Sequence, residues 1–556
     1  MHNVSASTSS ILLQLLRKRF FWWGIALSPI ALASAGLNEP LWVDELHTSW
    51  VVSGARDLVQ PRAEIGNQNP AYFSVLWWLT QWQGQSEWRL RWPSLLAWGA
   101  TLLLCVWCVQ RGMDATGQAA ARSPQVGRVP VAAWIALAII GWLGLDRVQL
   151  FYATEARPYA WMQMCTLIGW MMVWRIVAWP SAGGGTPISG ARWCLLAWCA
   201  ASLVAIHLHL TASLPVACQA GLLTLYAARP GRAWSMRLGV WGAIVGCAVG
   251  AAPIQGVAEA VWGRRGQWAA FAGSSSPRHL LDMFPLWQIL LPIAAARLVQ
   301  HVRDSKRILT VVPALGQQAW PHTVWAIAGF LPLVLGWWVT WMDWAPLMHR
   351  RFLLAAEVPC LLWAMQVWLG IRSAKWRGGA WLIACCLLVT TQGTIQMWRS
   401  GYVLGWQRGE DWPAAAALVG SSWHPGDRLY CWAGLIEAQR VGGPLSALEA
   451  EYFSLPLRGL YRVVPQDLGR PVEPLPLLGD GADWNSQLAI AAPPDSAIDR
   501  MDGRVWIVYR GRRQSLYNQL HRMNNAGLPW PKWEVVQPPR AFGKVAVVCL
   551  RRAAVR

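Results

Sequence analysis

The chain has 556 residues, of which 55% are apolar and only 14% charged. A soluble domain carries about 25% charged residues, so the composition excludes an ordinary soluble protein and points to an integral membrane protein with length enough for two domains. A formal net charge of +20 would suggest nucleic acid in a soluble protein. Here much of the excess sits in short loops between apolar runs, with no basic domain or stacking platform, so no nucleic-acid partner is expected.

Runs near the crossing length of about 20 residues recur along the chain. Spans are predicted at 20–37, 92–110, 130–145, 159–178, 193–208, 211–227, 238–256, 285–300, 322–341, 352–370 and 379–397, about eleven in all. Arg17, Lys18 and Arg19 precede the first. Alternate connections then carry Arg111, Arg122 and Arg128; Arg175 and Arg192; Arg229, Arg232 and Arg237; Arg297, Arg303, Lys306 and Arg307; Arg372, Lys375 and Arg377. Basic loops stay on the cytoplasmic side. The N-terminus is therefore expected inside, and loops 38–91, 146–158, 257–284 and 342–351 outside. The first run also resembles a secretory signal, with Ala33-Ser34-Ala35 as an A-x-A site; either way Asp44 ends up outside.

The first outward loop opens with LWVDELHTSW, residues 41–50, where two acids, Asp44 and Glu45, follow the first span. As a helix it places Asp44, His47 and Thr48 on one face and leaves Leu46 and Trp50 to rest on lipid, as an amphipathic surface helix does. A plainer reading is that two acids in a first helical turn complement the helix dipole. RAEIGNQNPAYFSVLWWL follows, with Glu64, a turn at Asn67 and Asn69-Pro70, and a second interfacial helix over Ala71–Trp82. Arg91 and Pro93 begin the next span, where arginine ordinarily snorkels and proline opens a helix.

The second outward loop, DRVQLFYATEARPYAW, sets Glu155 and Arg157 at the mouth of the fourth span. Charges at that depth must be matched or solvated, and a local ion pair at the helix end is the plain reading. AIHLHLTAS holds His207 and His209 in an apolar hairpin. In MHRRFLLAAEVP, His349, Arg350 and Arg351 put three potential cations on the outward side, against the positive-inside trend, which an anionic ligand would explain.

From about residue 398 the chain turns polar. A helix is predicted around DWPAAAALVG, and short buried strands at GDRLYCWAG, RVWIVYR and KVAVVCL. These fit a small C-terminal α/β or α+β domain, with the proline-rich stretch 464–494 as linker. Most of the twelve cysteines lie in apolar runs, and the lone C-x-x-C of Cys105 and Cys108 lacks the second pair that a zinc site needs. Cys431 and Cys549 lie in the tail, and whether they pair is open.

Several of these fragments together resemble the GT-C membrane glycosyltransferases. They are Asp44-Glu45 after the first span, N-x-N-P-x-Y from Asn67 to Tyr72, R-x-P-S from Arg91 to Ser94, and E-A-R-P-Y from Glu155 to Tyr159. Arg351-Phe352 before Pro359 is similar to the family's R-Y element with Phe in place of Tyr. His209 resembles a histidine often found in the corresponding hairpin. The nearer match is the bacterial branch related to protein O-mannosyltransferases and the lipid A aminoarabinose transferase. The likeness extends to about residue 430, through GEDWPAAAALVG and PGDRLYC.

The resemblance implies a polytopic α-helical enzyme of a bacterial inner membrane that takes a sugar from a polyprenyl-phosphate donor to an envelope acceptor. Its site and C-terminal domain would be extracytoplasmic. Asp44 is then the base that deprotonates the acceptor hydroxyl, with Glu45 beside it. Arg157, Arg351 and Arg91 are candidates for the donor phosphate, because arginine can hold phosphate bidentately. Glu64, Asn69, Glu155, Tyr159 and His209 are candidates for substrate or metal contacts. Glu45, Glu64 or His209 are the groups through which a divalent metal, Mg or Mn, would enter, and metal dependence is left open. The alternatives are a transporter or lipid flippase without chemistry, against which the chain shows no internal repeat, and a membrane scaffold bearing an exported interaction domain.

Overall fold

The computed structural model describes residues 28–115, 131–178, 188–263, 265–268, 272, 276–305, 320–371, 373–393, 395, 399, 409–435, 445–463, 472–475, 477–478, 489–490, 504–525 and 533–552. Residues 17–27, Arg122, Arg128, Lys306, Arg307, Arg372 and most of the proline-rich stretch 464–494 lie outside the described residues.

In chain order, α1 (Ser28–Ser34) is followed by three short helices, α2 (Val43–Val52), α3 (Arg56–Ile65) and α4 (Pro70–Gln83). Helices α5 (Glu87–Ala115), α6 (Val131–Trp142), α7 (Arg147–Thr154), α8 (Tyr159–Ala178), α9 (Ile188–Leu208), α10 (Ser213–Ala227), α11 (Trp234–Ala251) and α12 (Gln255–Gly263) come next. Then come α13 (Arg278–Asp282), α14 (Leu286–Ser305), α15 (Trp320–Trp341), α16 (Arg350–Leu369) and α17 (Ala374–Thr391). Each predicted span from the second onward has a helix at its place. Among the described residues six stretches are long and apolar enough to cross a membrane: Glu87–Val109, Gly190–Leu208, Leu210–Ala227, Trp234–Gly263, Thr323–Trp341 and Arg350–Leu369. These make the chain a multi-pass membrane protein; they do not establish a count of eleven. Helix α6 is only 12 residues long, and α14 carries Arg297, Gln300, His301, Arg303 and Asp304 within its span.

The contacts divide the chain into two compact units. The first, Met1–Gly36 with Trp92–Val403, is a helical assembly in which α8 packs on α9, α10, α15 and α16. Helix α16 is its interior element, buried almost throughout from Leu353 to Leu369. Helix α15 meets it at Gly329, where a side chain would strike the backbone nitrogen of Cys360 at 2.7 Å, so only glycine permits the approach. Gln219, fully buried on α10, joins three helices: its Oε1 accepts from the Trp198 indole at 2.8 Å and its Nε2 donates to the Thr166 carbonyl at 3.1 Å. Polar side chains bind helices together in this way where lipid offers no competing partners. By contrast α11 turns Trp241, Val245 and Val249 outward, each more than half exposed, a face suited to hydrocarbon rather than water.

The second unit combines Leu37–Arg91 with Leu404–Arg556. Its sheet has the order β2-β1-β5-β7-β6, with β1 (Arg428–Trp432), β2 (Glu473–Pro474), β5 (Val505–Arg510), β6 (Trp533–Phe542) and β7 (Val545–Arg552). The pair β3 (Leu477–Leu478) and β4 (Ala489–Ile490) stands apart. β1 is parallel to β2 and β5, while β7 runs antiparallel to β5 and β6, so parallel and antiparallel pairs are mixed. The helices of the tail are α18 (Trp412–Ser422), α19 (Ala447–Phe453) and α20 (Arg513–Asn525), and α18 and α20 pack on β6 and β7. The three predicted strands are β1, β5 and β7. Strand β6 was not anticipated, because Pro538 and Pro539 disguise it; it holds the edge, where proline is tolerated, and its register slips on either side of Gln537. Cys431 is opposite Val508, and Cys549 opposite Trp506, on the two flanks of β5. Both are free thiols, a full strand apart and beyond disulfide reach.

Candidate active site

In the second unit, Trp42 is extended and α2 starts at Val43, so Asp44 and Glu45 occupy the second and third helical positions, where acids favour the dipole. Glu45 is fully buried. Its two oxygens receive Nε and Nη2 of Arg91 at 2.8 and 2.6 Å. The remaining N–H groups of Arg91 go to the carbonyls of Leu37 (3.0 Å), Glu39 (2.5 Å) and Pro40 (3.1 Å). A guanidinium has five N–H donors, and all of them are engaged within the fold. Both side chains have no solvent exposure. Arg91 is therefore a structural residue rather than a phosphate ligand, and Glu45 has given its carboxylate to that pair.

Helix α2 does not lie on a surface with Leu46 and Trp50 against lipid. These side chains are 0% and 1% exposed, and every residue of the helix is buried except Asp44. His47 is packed edge-on between Phe73 and Tyr452, at ring distances of 5.6 and 5.8 Å. Asp44 is thus the one position of α2 that stays accessible. The two other first-loop candidates fare differently. Glu64 is exposed on α3 and accepts from Gln60 Nε2 at 2.8 Å. Asn69 caps α4, its side-chain oxygen accepting from the Ala71 amide at 2.8 Å, with Pro70 in the first turn. Helix α4 has the two faces expected of an interfacial helix: Tyr72, Phe73 and Leu76 are buried, while Val75, Trp78 and Trp82 are exposed.

In the first unit, Asp146 caps α7, and the turn Glu155-Ala156-Arg157-Pro158 leads into α8. Arg157 is fixed through its backbone, its N–H donating to the Glu155 carbonyl at 2.7 Å and its carbonyl accepting from Ser94 Oγ at 3.2 Å. Tyr159 stacks its ring near Tyr152 (5.3 Å) and His209 (5.2 Å), and His209 lies 6.3 Å from Phe352. The Arg351 guanidinium sits 4.8 Å over the Phe352 ring. His209 Nδ1 accepts from the Thr211 amide at 3.3 Å and lies 2.8 Å from its hydroxyl, so the neutral ring carries its proton on Nε2. Burial, then the charges of Arg157 and Arg351, push the His209 pKa down to about 3. Burial, with Glu155 and Tyr159 adding and Arg351 opposing, holds the Tyr152 phenol well above its ordinary value. Glu155, Arg157 and Tyr159, which are buried, therefore share one neighbourhood with the partly exposed His209 and Arg351.

Arg350, the neighbour of Arg351, has another fate. It forms ion pairs with Asp146 and Glu357, two acids without solvent exposure. One of the three cations in MHRRF is thus neutralised inside the protein, and His349 caps α16 through Nδ1 to the Arg351 amide at 3.2 Å. Sequence reasoning passed over Asp146 and Glu357. Glu357 was within its reach, since a residue seven after Arg350 returns to the same helix face.

No three His, Cys, Asp or Glu side chains among the described residues gather as metal ligands. A metal on Glu45 does not fit, because both of its oxygens already face a guanidinium.

Fold and site together define a polytopic helical membrane protein with a small mixed-sheet C-terminal part and a partly buried arginine–histidine–aromatic cluster. No family model matches the sequence, and no curated protein matches it. Among solved structures the chain is similar to the crystal structure of ArnT from Cupriavidus metallidurans bound to undecaprenyl phosphate, with 14% identity and a TM-score of 0.47 over 97% of this chain and 98% of that one. It is similar also to ArnT from the same organism in the apo state, with 14% identity and a TM-score of 0.40 over 98% of each chain. Both likenesses are distant.

Proposed function

We propose that the protein is a membrane glycosyltransferase that moves a hexose or pentose from a polyprenyl-phosphate donor to an envelope acceptor, whether lipid, polysaccharide or protein. The observation that carries this reading is the cluster in which His209 lies 5.2 Å from the Tyr159 ring and 6.3 Å from Phe352, over which the Arg351 guanidinium sits at 4.8 Å, with Arg157 close enough to help keep His209 neutral. A neutral histidine that offers an N–H beside two guanidinium groups suits an anion such as a phosphate. The ordered set of motifs that resembles the GT-C enzymes supports the same class, and Asp44, alone accessible on α2, supplies the carboxylate base.

In the proposed step, Asp44 takes the proton of the acceptor hydroxyl while that oxygen attacks the anomeric carbon. The bond from the anomeric carbon to the carrier phosphate breaks, and its electron pair leaves on the phosphate oxygen. Arg157, Arg351 and the Nε2–H of His209 stabilise the growing negative charge. One displacement with one base inverts the anomeric centre. The proposed setting is a bacterial plasma membrane, with the N-terminus cytoplasmic and the chemistry on the opposite face.

The test is transfer of radiolabelled sugar from a polyprenyl-phosphate donor by the full-length protein in lipid nanodiscs, followed onto glycolipid, polysaccharide and protein fractions. Formation of a new glycosidic bond is expected. Movement of the labelled lipid between leaflets of a vesicle, with no such bond formed, would replace the enzyme by a flippase.

A further inference from the structure

The mechanism above gives no role to the C-terminal half of the second unit, nor to the Gly-Glu-Asp that opens GEDWPAAAALVG. Glu410 of that element is buried, with its side chain 1% exposed, and it receives three donors. Oε2 accepts from the Val43 amide at 3.1 Å and from the Trp412 indole at 2.8 Å, and Oε1 accepts from Arg510 Nε at 2.8 Å. Val43 is the first residue of α2, and Asp44 is the next. The first amides of a helix have no partner within it, and a buried one left unmet is costly. A carboxylate placed there satisfies the amide and also complements the dipole.

Other groups from the tail hold the same helix. The Tyr461 hydroxyl accepts from the Leu41 amide at 2.9 Å and donates to Glu87 at 2.9 Å. Glu451 accepts from the Trp50 indole at 3.2 Å and from Arg62 at 2.8 Å. Ser49 Oγ accepts from the Leu460 amide at 2.9 Å. Helix α2 is only ten residues long, too short to be stable by its own hydrogen bonds. Besides Arg91 and Phe73, residues 360 and more places away in the chain help to set its position.

We propose that Glu410 is a positioning residue for Asp44: the tail fixes the first turn of α2, and so the base, through the Glu410–Val43 contact. The inference rests on Asp44 acting as the base. Reacting groups must be held within fractions of an ångström, and a displacement of about 1 Å can cost on the order of 10²-fold.

The experiment compares Glu410→Ala, Glu410→Gln and Tyr461→Phe in the full-length protein in nanodiscs, reading kcat, donor KM and amide hydrogen exchange over residues 41–50. Glu410→Ala is expected to lower kcat by on the order of 10²-fold, to leave donor KM unchanged, and to speed exchange at the start of α2. Glu410→Gln should recover most of the rate, because its amide oxygen still accepts from Val43. Tyr461→Phe loses the Leu41 and Glu87 contacts but keeps the Glu410–Val43 one, and should show the smaller effect of the same kind. If Glu410→Ala does not fold, the other two variants carry the test, through faster exchange that tracks a lower kcat. Arg551→Ala, which removes an exposed pair with Glu534, is the control with unchanged turnover. Wild-type kcat despite faster exchange overturns the inference, and so does unchanged exchange. A raised donor KM in both Glu410 variants overturns it as well, since Glu410 would then touch the donor. Normal turnover in Asp44→Asn removes the base and with it the inference, whereas normal turnover in Glu410→Ala removes the inference alone.

Discussion

Arg91 and the pair Arg157 and Arg351 are set in the fold in different ways. Around Arg91 every N–H meets an oxygen of the chain, two on Glu45 and three on backbone carbonyls. Arg157 and Arg351 lie beside His209, whose ring stays neutral, in a cluster with Glu155, Tyr159 and Phe352. The first arrangement is complete in itself and holds a fold. The second gathers positive charge beside a further donor, which is what an anion requires. The contrast recurs within one dipeptide: Arg350 is matched by Asp146 and Glu357, while its neighbour Arg351 belongs to the histidine cluster.

The largest effect is expected beside the closed pair. Asp44→Asn should lower transfer by on the order of 10²–10⁴-fold with an unchanged melting temperature, whereas Glu45→Gln one residue later should lower the melting temperature. Near-normal turnover in purified Asp44→Asn protein would take Asp44 out of the mechanism.

Next, Arg91→Ala should destabilise the protein by about 3–5 kcal/mol, since it strands a buried carboxylate. The double change Arg91→Met with Glu45→Leu should regain much of that loss in denaturant titrations. A stable Arg91→Ala protein that binds donor weakly would return Arg91 to the phosphate.

Arg157→Ala and Arg351→Ala should each weaken binding of a polyprenyl-phosphate analogue by about 1.5–3 kcal/mol, the range for charge-assisted hydrogen bonds. Arg351→Lys should rescue only in part, because it offers a point charge without the planar fork. Unchanged affinity in both stable alanine variants would dissolve the contrast between the two places.

The smallest effect concerns pH. His209 binds fewer protons in the folded state than its ordinary value near 6.5 implies, so the unfolded state takes up protons first on acidification. Stability from the neutral ring is complete above pH ~6.5 and is lost as the pH falls toward about 3. His209→Gln should flatten this acid limb in melts recorded from pH 7 to pH 4. An unaltered limb would mean that His209 is not the group responsible.

Much of the helical part was legible, because a run of apolar residues near the crossing length has few other uses. The strands β1, β5 and β7 were legible for a related reason, being short and buried on both faces. Other features depend on contacts that no local pattern encodes. Glu45 and Arg91 are 46 residues apart, and Val43 and Glu410 are 367 apart. Nothing in DELHTSW says that the helix is buried on all sides but one. Arg350 and Arg351 look alike in sequence, but adjacent helical residues point about 100° apart and so meet different neighbours. The turn that Asn69-Pro70 signals in the sequence is the N-cap of α4.

The edge strand β6 has a consequence for the life of the folded chain among its own copies. An open strand edge offers unpaired amides and carbonyls to any extended segment that approaches. Among the described residues this sheet ends on one side in β2, two residues long, and on the other in β6, whose Pro538 and Pro539 carry no N–H and interrupt its register. Both edges are thereby blunted against a growing stack of strands. Short and proline-broken edges of this kind keep a sheet from pairing with another copy of itself.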